Sequence, residues 1–218
     1  MEKCKETDSQ SCLQKCTLKK VGPRLNLLLP KEKNNLIKEL QKKEGIGIVI
    51  KQDTLEKQVK TVYIGIGSNL GNRIDNIEKA KYKLVEEGIK IIKSSSYYET
   101  FSWPNPNNPK FYNIVLKAKT ILDEVSLLQI CKKIEKLLGR KNAIRNSPRK
   151  CDIDILDYAN RSNKGMINLP HPRMHSRNFV LIPLFEINRD WRHPVLKEHI
   201  KSLIFSLSNR DISSIKQI

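Results

Sequence analysis

Several things are missing from this 218-residue sequence, and each absence narrows its class. It has no apolar run of the 18 or more residues a transmembrane helix needs. Its first residues, "MEKCKETDSQ", lack the apolar core of a secretory signal, so a cytoplasmic location is the default expectation. Aromatic residues make up only 6% of the chain. There is no C-x-x-C, and the cysteine count is five, an odd number. A disulfide framework is therefore not expected. Cys12 and Cys16 have metal-ligand spacing, but all four histidines lie at position 171 or beyond, so no zinc site is expected there.

What is abundant is positive charge. Lys and Arg number 41 against 23 acids, a net charge of +18. That balance suits phosphorylated substrates, nucleic acid or an anionic surface. The lysines are spread along the whole chain, which also fits plainly solvated faces.

The chain divides near residue 61. Residues 1–60 are Lys-rich and hold three of the five cysteines. Within them, 31–43 has a helical pattern and "GIGIVIKQD" reads as a strand, while residues 1–20 show little periodicity. From Thr61 the pattern is regular. "VYIGIG" reads as a buried strand. "RIDNIEKAKYKLVEE" is a helix whose stripe is expected to comprise Ile74, Ile77, Tyr82, Leu84 and Val85, ended by Gly88. "IKIIKSSSYYET" reads as a second strand, and the turn-rich "FSWPNPNNPK" leads to a third, "FYNIVLKAKT". "DEVSLLQICKKIEKLLG" is a helix with Asp123 as N-cap and Gly139 as stop. "CDIDILDY" is a fourth strand. Short helices follow in "HSRNFVLIPLFEI" and in 196–208. The order β-α-β-β-α-β is that of the ferredoxin-like split βαβ, an α+β fold with C-terminal additional helices. It predicts an antiparallel sheet with helices on one face.

Four groups of residues can carry chemistry. Asp152 and Asp154 lie two apart on a strand and so share a face. Two such carboxylates repel unless a cation neutralises them, and Mg²⁺, which takes one or two carboxylates plus phosphate oxygens, fits. Just before them, "GRKNAIRNSPRK" carries Arg140, Lys141, Arg145, Arg149 and Lys150 with no acid. Cations on phosphate oxygens beside metal-binding acids is the arrangement of phosphoryl transfer, and a loop of this length can close as a lid. The same loop also suits nonspecific nucleic-acid binding. Phe111 and Asn113 share a strand face, as ring and amide do when they stack on and read a flat heterocycle, or when they simply pack. His171, Arg173, His175, Arg177 and Phe179 cluster before an apolar helix. In "TVYIGIGSNLGNR" the glycines suggest either a phosphate cradle or a tight turn closed by Ser68, Asn69 and Asn72.

A nicotinamide-binding reading of those glycines fails. It needs an acid about 20 residues on, at the end of the second strand, and that strand ends in serines. An RNA-binding reading rests on the charge and the strand order, but the strands lack the exposed aromatic pattern of RNA-recognition sheets.

Taken in order, "YIGIGSNLGNR", "FYN", "IEKLLGR", "PRKCDIDIL" and "LPHPRMHSRNFVLIPLFEI" resemble the 6-hydroxymethyl-7,8-dihydropterin pyrophosphokinase family of folate biosynthesis. The resemblance covers about residues 61–192, so 61–218 is expected to be the catalytic domain. It implies transfer of pyrophosphate from ATP to the pterin's hydroxymethyl oxygen, with AMP released. It implies two Mg²⁺ ions on Asp152 and Asp154, and pterin between Phe111 and Phe179 with Asn113 at its edge. It implies an ATP site with Glu135, Arg140, Arg145, Arg149, Ile155, His171 and Arg177, of which Arg140 and Arg149 also serve catalysis. Its partners are then small molecules, without specific nucleic acid or membrane, and the protein a monomer. The sequence departs from the family's bacterial pattern in four places. The loop between Arg140 and Arg149 is one residue shorter, Asn146 replaces a tryptophan, Phe111 a tyrosine, and Lys132 a glutamine. Segment 27–52 faintly resembles the last helix and strand of dihydroneopterin aldolase, so 1–60 is a basic extension or an aldolase remnant.

Overall fold

The computed structural model describes residues 59–103, 105–140 and 147–218. The expectations for residues 1–58, including the Cys12–Cys16 pair, the helix, the strand and the aldolase likeness, lie outside the described residues.

Strand β1 (Lys60–Ser68) runs up the middle of the sheet. It pairs antiparallel with β4 (Phe111–Thr120) on one side and β5 (Asp152–Tyr158) on the other. Beyond β4 lie β2 (Lys90–Ser94) and β3 (Tyr98–Thr100), and β8 (Lys216–Gln217) adds to β3. The antiparallel sheet and its order are those expected from the sequence. A separate small hairpin joins β6 (Asn163–Lys164) to β7 (Asn168–Leu169). "IKIIKSSSYYET" is two strands, not one. At the break the Ser95 hydroxyl accepts the Val115 N–H at 2.9 Å, so a side chain takes a ladder position. The register against β4 slips as a result, from Ser94 opposite Leu116 to Tyr98 opposite Asn113.

Helix α1 (Arg73–Glu86) starts at Asn72, whose side chain accepts the Asp75 N–H, and ends before Gly88 at φ +82°. Its buried stripe is Asn76, Ile77, Ala80 and Leu84. Ile74, Tyr82 and Val85, expected on the stripe, are exposed. At about 100° per residue Tyr82 falls on the opposite side of the helix, and Ile74 and Val85 fall on its flank. Helix α2 (Glu124–Leu137) is capped by Asp123, which accepts from the Val125 and Ser126 N–H groups. Both helices pack on the sheet face formed by Val62, Ile64, Ile66, Ile114, Leu116, Ile153 and Ile155.

The second face is also covered, contrary to the one-sided packing expected. Tyr63, Val115 and Leu156 point away from the first core and meet α3 (Asn178–Ile187) and α4 (Ile200–Phe205). A strand apolar on both faces needs cover on both, and α3 is apolar enough to supply it. A further helix, α5 (Asn209–Ser213), follows. α3 covers only part of that face. At the other part, β1 presents Gly65 and Gly67, β4 presents Phe111 and Asn113, and β5 presents Asp152 and Asp154.

A bulge in β5 brings a third carboxylate to this face. Tyr63 pairs with Asp157 and Ile64 with Ile155, leaving Leu156 as the extra residue. Asp157 is 2% exposed, and burial pushes its carboxyl above the usual range against a 2.8 Å bond from Trp191 Nε1. Trp191→Phe removes that donor and is expected to cost about 1–3 kcal/mol. A carboxyl whose pKa is raised by folding loses stability as pH rises through that value. The deficit should therefore be larger at pH 7 than in acid, as urea melts at the two pH values will show.

Candidate active site

The uncovered part of the second face floors a cleft of about 1580 Å³. That exceeds the usual volume for one small ligand and suits two substrates at once. One wall is the 101–110 segment, another the segment from Ser147 to Asp152, and the third the turn His171–Arg177 with the start of α3 and residues of α5.

The register explains the floor. Gly65 lies opposite Asp154, and Gly67 lies opposite Asp152 on one side and Asn113 on the other. Neither glycine makes a turn; both are inside β1, which corrects the tight-turn expectation. Gly71, at φ +69°, is the turn glycine. A Cβ on Gly67 would sit 2.9 Å from Asn113 Oδ1 and 3.3 Å from Phe111 Cδ1. The missing side chain is thus what lets Phe111 and Asn113 lie low over the strand. Asn113 Nδ2 donates to the buried Thr100 Oγ1 at 2.9 Å, which turns Oδ1 toward Gly67 as an acceptor.

The carboxylates are each met by arginine. Arg140 Nη1 lies 2.9 Å from Asp152 Oδ1, and Arg149 Nη2 lies 3.1 Å from Oδ2. Asp154 Oδ2 faces Arg177 Nη1 at 3.6 Å and His171 Nε2 at 3.9 Å. Burial and the neighbouring Asp154 push the Asp152 carboxyl above its ordinary range, outweighing the pull of Arg149 and Arg140. Burial lowers His171 despite Asp154, and Arg177 and Arg173 add to the lowering. His171 Nδ1 accepts the Arg173 backbone N–H at 3.2 Å, which leaves the ring proton on Nε2, toward Asp154. Arg149 Nε is buried and without a hydrogen-bond partner among the described residues.

The cleft thus gathers Phe111, Asn113, Phe179, Arg140, Arg149, Asp152, Asp154, His171 and Arg177, nine of the expected site residues. Two others do not line it. Glu135 is 1% exposed, and its carboxylate accepts the Ile153 N–H at 2.8 Å and pairs with Arg140 at 2.6 Å and Lys132 at 3.0 Å. It stands behind Arg140 and aims it. The Ile155 side chain lies in the core of the opposite face. Arg145, Lys141 and Asn146 fall outside the described residues.

Sequence reasoning missed Thr100 and Trp103, which also line the cleft, named Arg173 without giving it a role, and undervalued Asn69. Asn69 is 2% exposed and fastens three segments. Its backbone N–H donates to the Arg149 carbonyl at 3.1 Å, its Oδ1 accepts the Arg149 N–H at 2.7 Å, and its Nδ2 donates to the Pro109 carbonyl at 3.1 Å. The signal was an asparagine at the end of a strand, which reads as a turn residue unless its distant partners are known.

The family model described as 7,8-dihydro-6-hydroxymethylpterin-pyrophosphokinase matches residues 63–189. A 2-amino-4-hydroxy-6-hydroxymethyldihydropteridine pyrophosphokinase of Aquifex aeolicus is 44% identical over 142 residues, covering 65% of this chain and 88% of the relative. The Bacillus subtilis protein of the same name is 39% identical over 128 residues, 57% of this chain and 76% of that one. A folic acid synthesis protein of Pneumocystis carinii is 41% identical over 157 residues, 72% of this chain, but the match spans only 21% of that longer protein. In structure, a Plasmodium falciparum HPPK-DHPS aligns with a TM-score of 0.57 at 17% identity, over 73% of this chain and 48% of the other, a likeness of fold. The chain belongs to the 7,8-dihydro-6-hydroxymethylpterin-pyrophosphokinase family.

Proposed function

We propose that the protein transfers pyrophosphate from ATP to 6-hydroxymethyl-7,8-dihydropterin, in folate biosynthesis, with residues 61–218 as the catalytic domain. The observation that carries the reading is the makeup of one cleft. Phe111, Phe179 and the Asn113 amide line it together with Arg140, Arg149, Arg177, His171 and the carboxylates Asp152 and Asp154. The first set suits a flat, polar-edged ring and the second a polyphosphate.

In the reaction the hydroxymethyl oxygen attacks the β-phosphorus of ATP. The bond from that phosphorus to the α,β-bridging oxygen breaks, AMP leaves with the bridging oxygen, and the alcohol's proton is lost. An alcohol attacking phosphorus needs alignment and charge neutralisation more than covalent help. Phe111 and Phe179 hold the ring, and Asn113 Oδ1 accepts from its edge. Arg140, Arg149 and Arg177 exchange their carboxylate contacts for phosphate oxygens, and the unpaired Arg149 Nε is a donor already waiting. Glu135 keeps Arg140 aimed during the exchange. His171, neutral with its proton on Nε2, donates beside Asp154.

Asp152 and Asp154 fit Mg²⁺. They are hard oxygen donors, neighbours on one strand face, and two in number, leaving the other positions to phosphate and water as Mg²⁺ prefers. Among the described residues there is no cluster of three or more such ligands, so the site is a half-cage that a triphosphate completes. Two Mg²⁺ ions held there would neutralise the triphosphate and hold it in line. Arg145 is assigned to the same phosphates. The reading includes a monomer in the cytoplasm acting on small molecules; no helix among the described residues is long and apolar enough to cross a membrane.

Mass spectrometry of the pterin after incubation with MgATP tests the proposal. A gain of one diphosphate is expected. A gain of a single phosphate, or none, would refute it.

A further inference from the structure

Arg173 is an arginine of the cleft that the reaction above does not use. Its main chain belongs to the phosphate side, since its N–H is bonded to the His171 ring at 3.2 Å. Its side chain crosses to the other side. The guanidinium carbon lies 5.6 Å from the centre of the Trp103 ring, on the 101–110 wall that leads into Phe111. Both residues are exposed and both line the cleft. Arg140, Arg149 and Arg177 are each committed to Asp152 or Asp154. Among the described residues Arg173 has no acidic partner and its charge rests on a ring instead. Arg210 of α5 also lacks one, but nothing ties it to His171.

A cation on an exposed indole is weakly held. A charge-assisted bond to phosphate is stronger, and the arginine fork suits adjacent phosphate oxygens. We infer that Arg173 is a positioning residue for the diphosphate in transit, held on Trp103 while the cleft is empty and released onto the diphosphate when it arrives. The inference rests on the pyrophosphoryl-transfer reading and adds a phosphate contact and a contact that must break. Because the Trp103 contact competes with the phosphate, removing the ring strengthens diphosphate binding, whereas removing Arg173 weakens it. A purely structural bridge would weaken binding in both cases.

The chain has two tryptophans, and Trp191 is only 4% exposed, so neutral acrylamide quenches Trp103 selectively. Titrating the full chain with magnesium pyrophosphate is expected to raise the quenching, while orthophosphate at equal concentration leaves it unchanged. Arg173→Ala is expected to show the raised quenching from the start and to bind pyrophosphate on the order of tenfold more weakly by calorimetry. Trp103→Ala is expected to bind it about two- to fivefold more tightly. Unchanged wild-type quenching with pyrophosphate, an equal response to orthophosphate, or weaker binding by Trp103→Ala would each overturn the inference. AMP release by the same wild-type preparation separates the two claims. Failure there with an intact quenching response refutes the reaction, and normal release with no response refutes the role of Arg173.

Discussion

Asp154→Ala is expected to cut turnover on the order of a thousandfold or more while the protein stays folded, and Asp152→Ala is expected to do the same. Both side chains leave β5 toward the cleft, and the pairing of β5 with β1 uses only backbone, so circular dichroism should be unchanged. The losses have different secondary signatures. Without Asp154, Asp152 loses the neighbour that helps push its carboxyl up, and its pKa falls toward the ordinary range. Without Asp152, Arg140 keeps Glu135 but Arg149 keeps no acid among the described residues. Asp152→Ala should therefore retain, or even gain, affinity for metal-free ATP while losing catalysis. Turnover within a few-fold of wild type in either variant would remove that carboxylate from the chemistry.

Gly67→Ala is the second large effect. A methyl there must displace Asn113 Oδ1, 2.9 Å away, and crowd the Phe111 ring at 3.3 Å. Asn113 is tied to Thr100 and cannot retreat freely. A displacement of this kind at a binding site costs on the order of a hundredfold. It is expected in kcat/KM for the pterin, with KM for ATP little changed, because the phosphate side is not crowded. Gly65→Ala is the control. The atoms nearest its added carbon would be Leu156 carbons at 3.5–3.6 Å, an ordinary contact, and it should be tolerated sterically. Equal losses in the two variants would mean that β1 is merely intolerant of substitution.

These two experiments also mark what the sequence made legible. Asp152-Ile153-Asp154 was readable because period-two alternation is local: any extended segment puts both carboxylates on one face. The cap at Asp123, the stops at Gly88 and Gly139, and the strand order followed from equally local rules. Gly65 and Gly67 were misread because their reason is not local. Gly67 lacks a side chain on account of Phe111 and Asn113, more than 40 positions away and brought close by strand pairing. Asn69 and Thr100 escaped for the same cause, since their partners are set by topology. The resemblance puts Glu135 at the nucleotide site; its burial and its pairing with Arg140 are set by topology and were not legible in the sequence. The second helical layer escaped because Tyr63, Val115 and Leu156 look like ordinary strand residues until it is known which face each one takes. Tyr82, on the far side of α1, and Ile74 and Val85, on its flank, were put on the stripe because counting apolar residues overlooked Ala80 and Asn76, which help carry it.

The most direct measurement is the nucleotide product formed in the presence and absence of the pterin. With Mg²⁺, ATP and 6-hydroxymethyl-7,8-dihydropterin, the protein is predicted to release AMP in equal amount to the pterin consumed, with no AMP when the pterin is left out. ADP as the product, or nucleotide turnover indifferent to the pterin, would contradict the account.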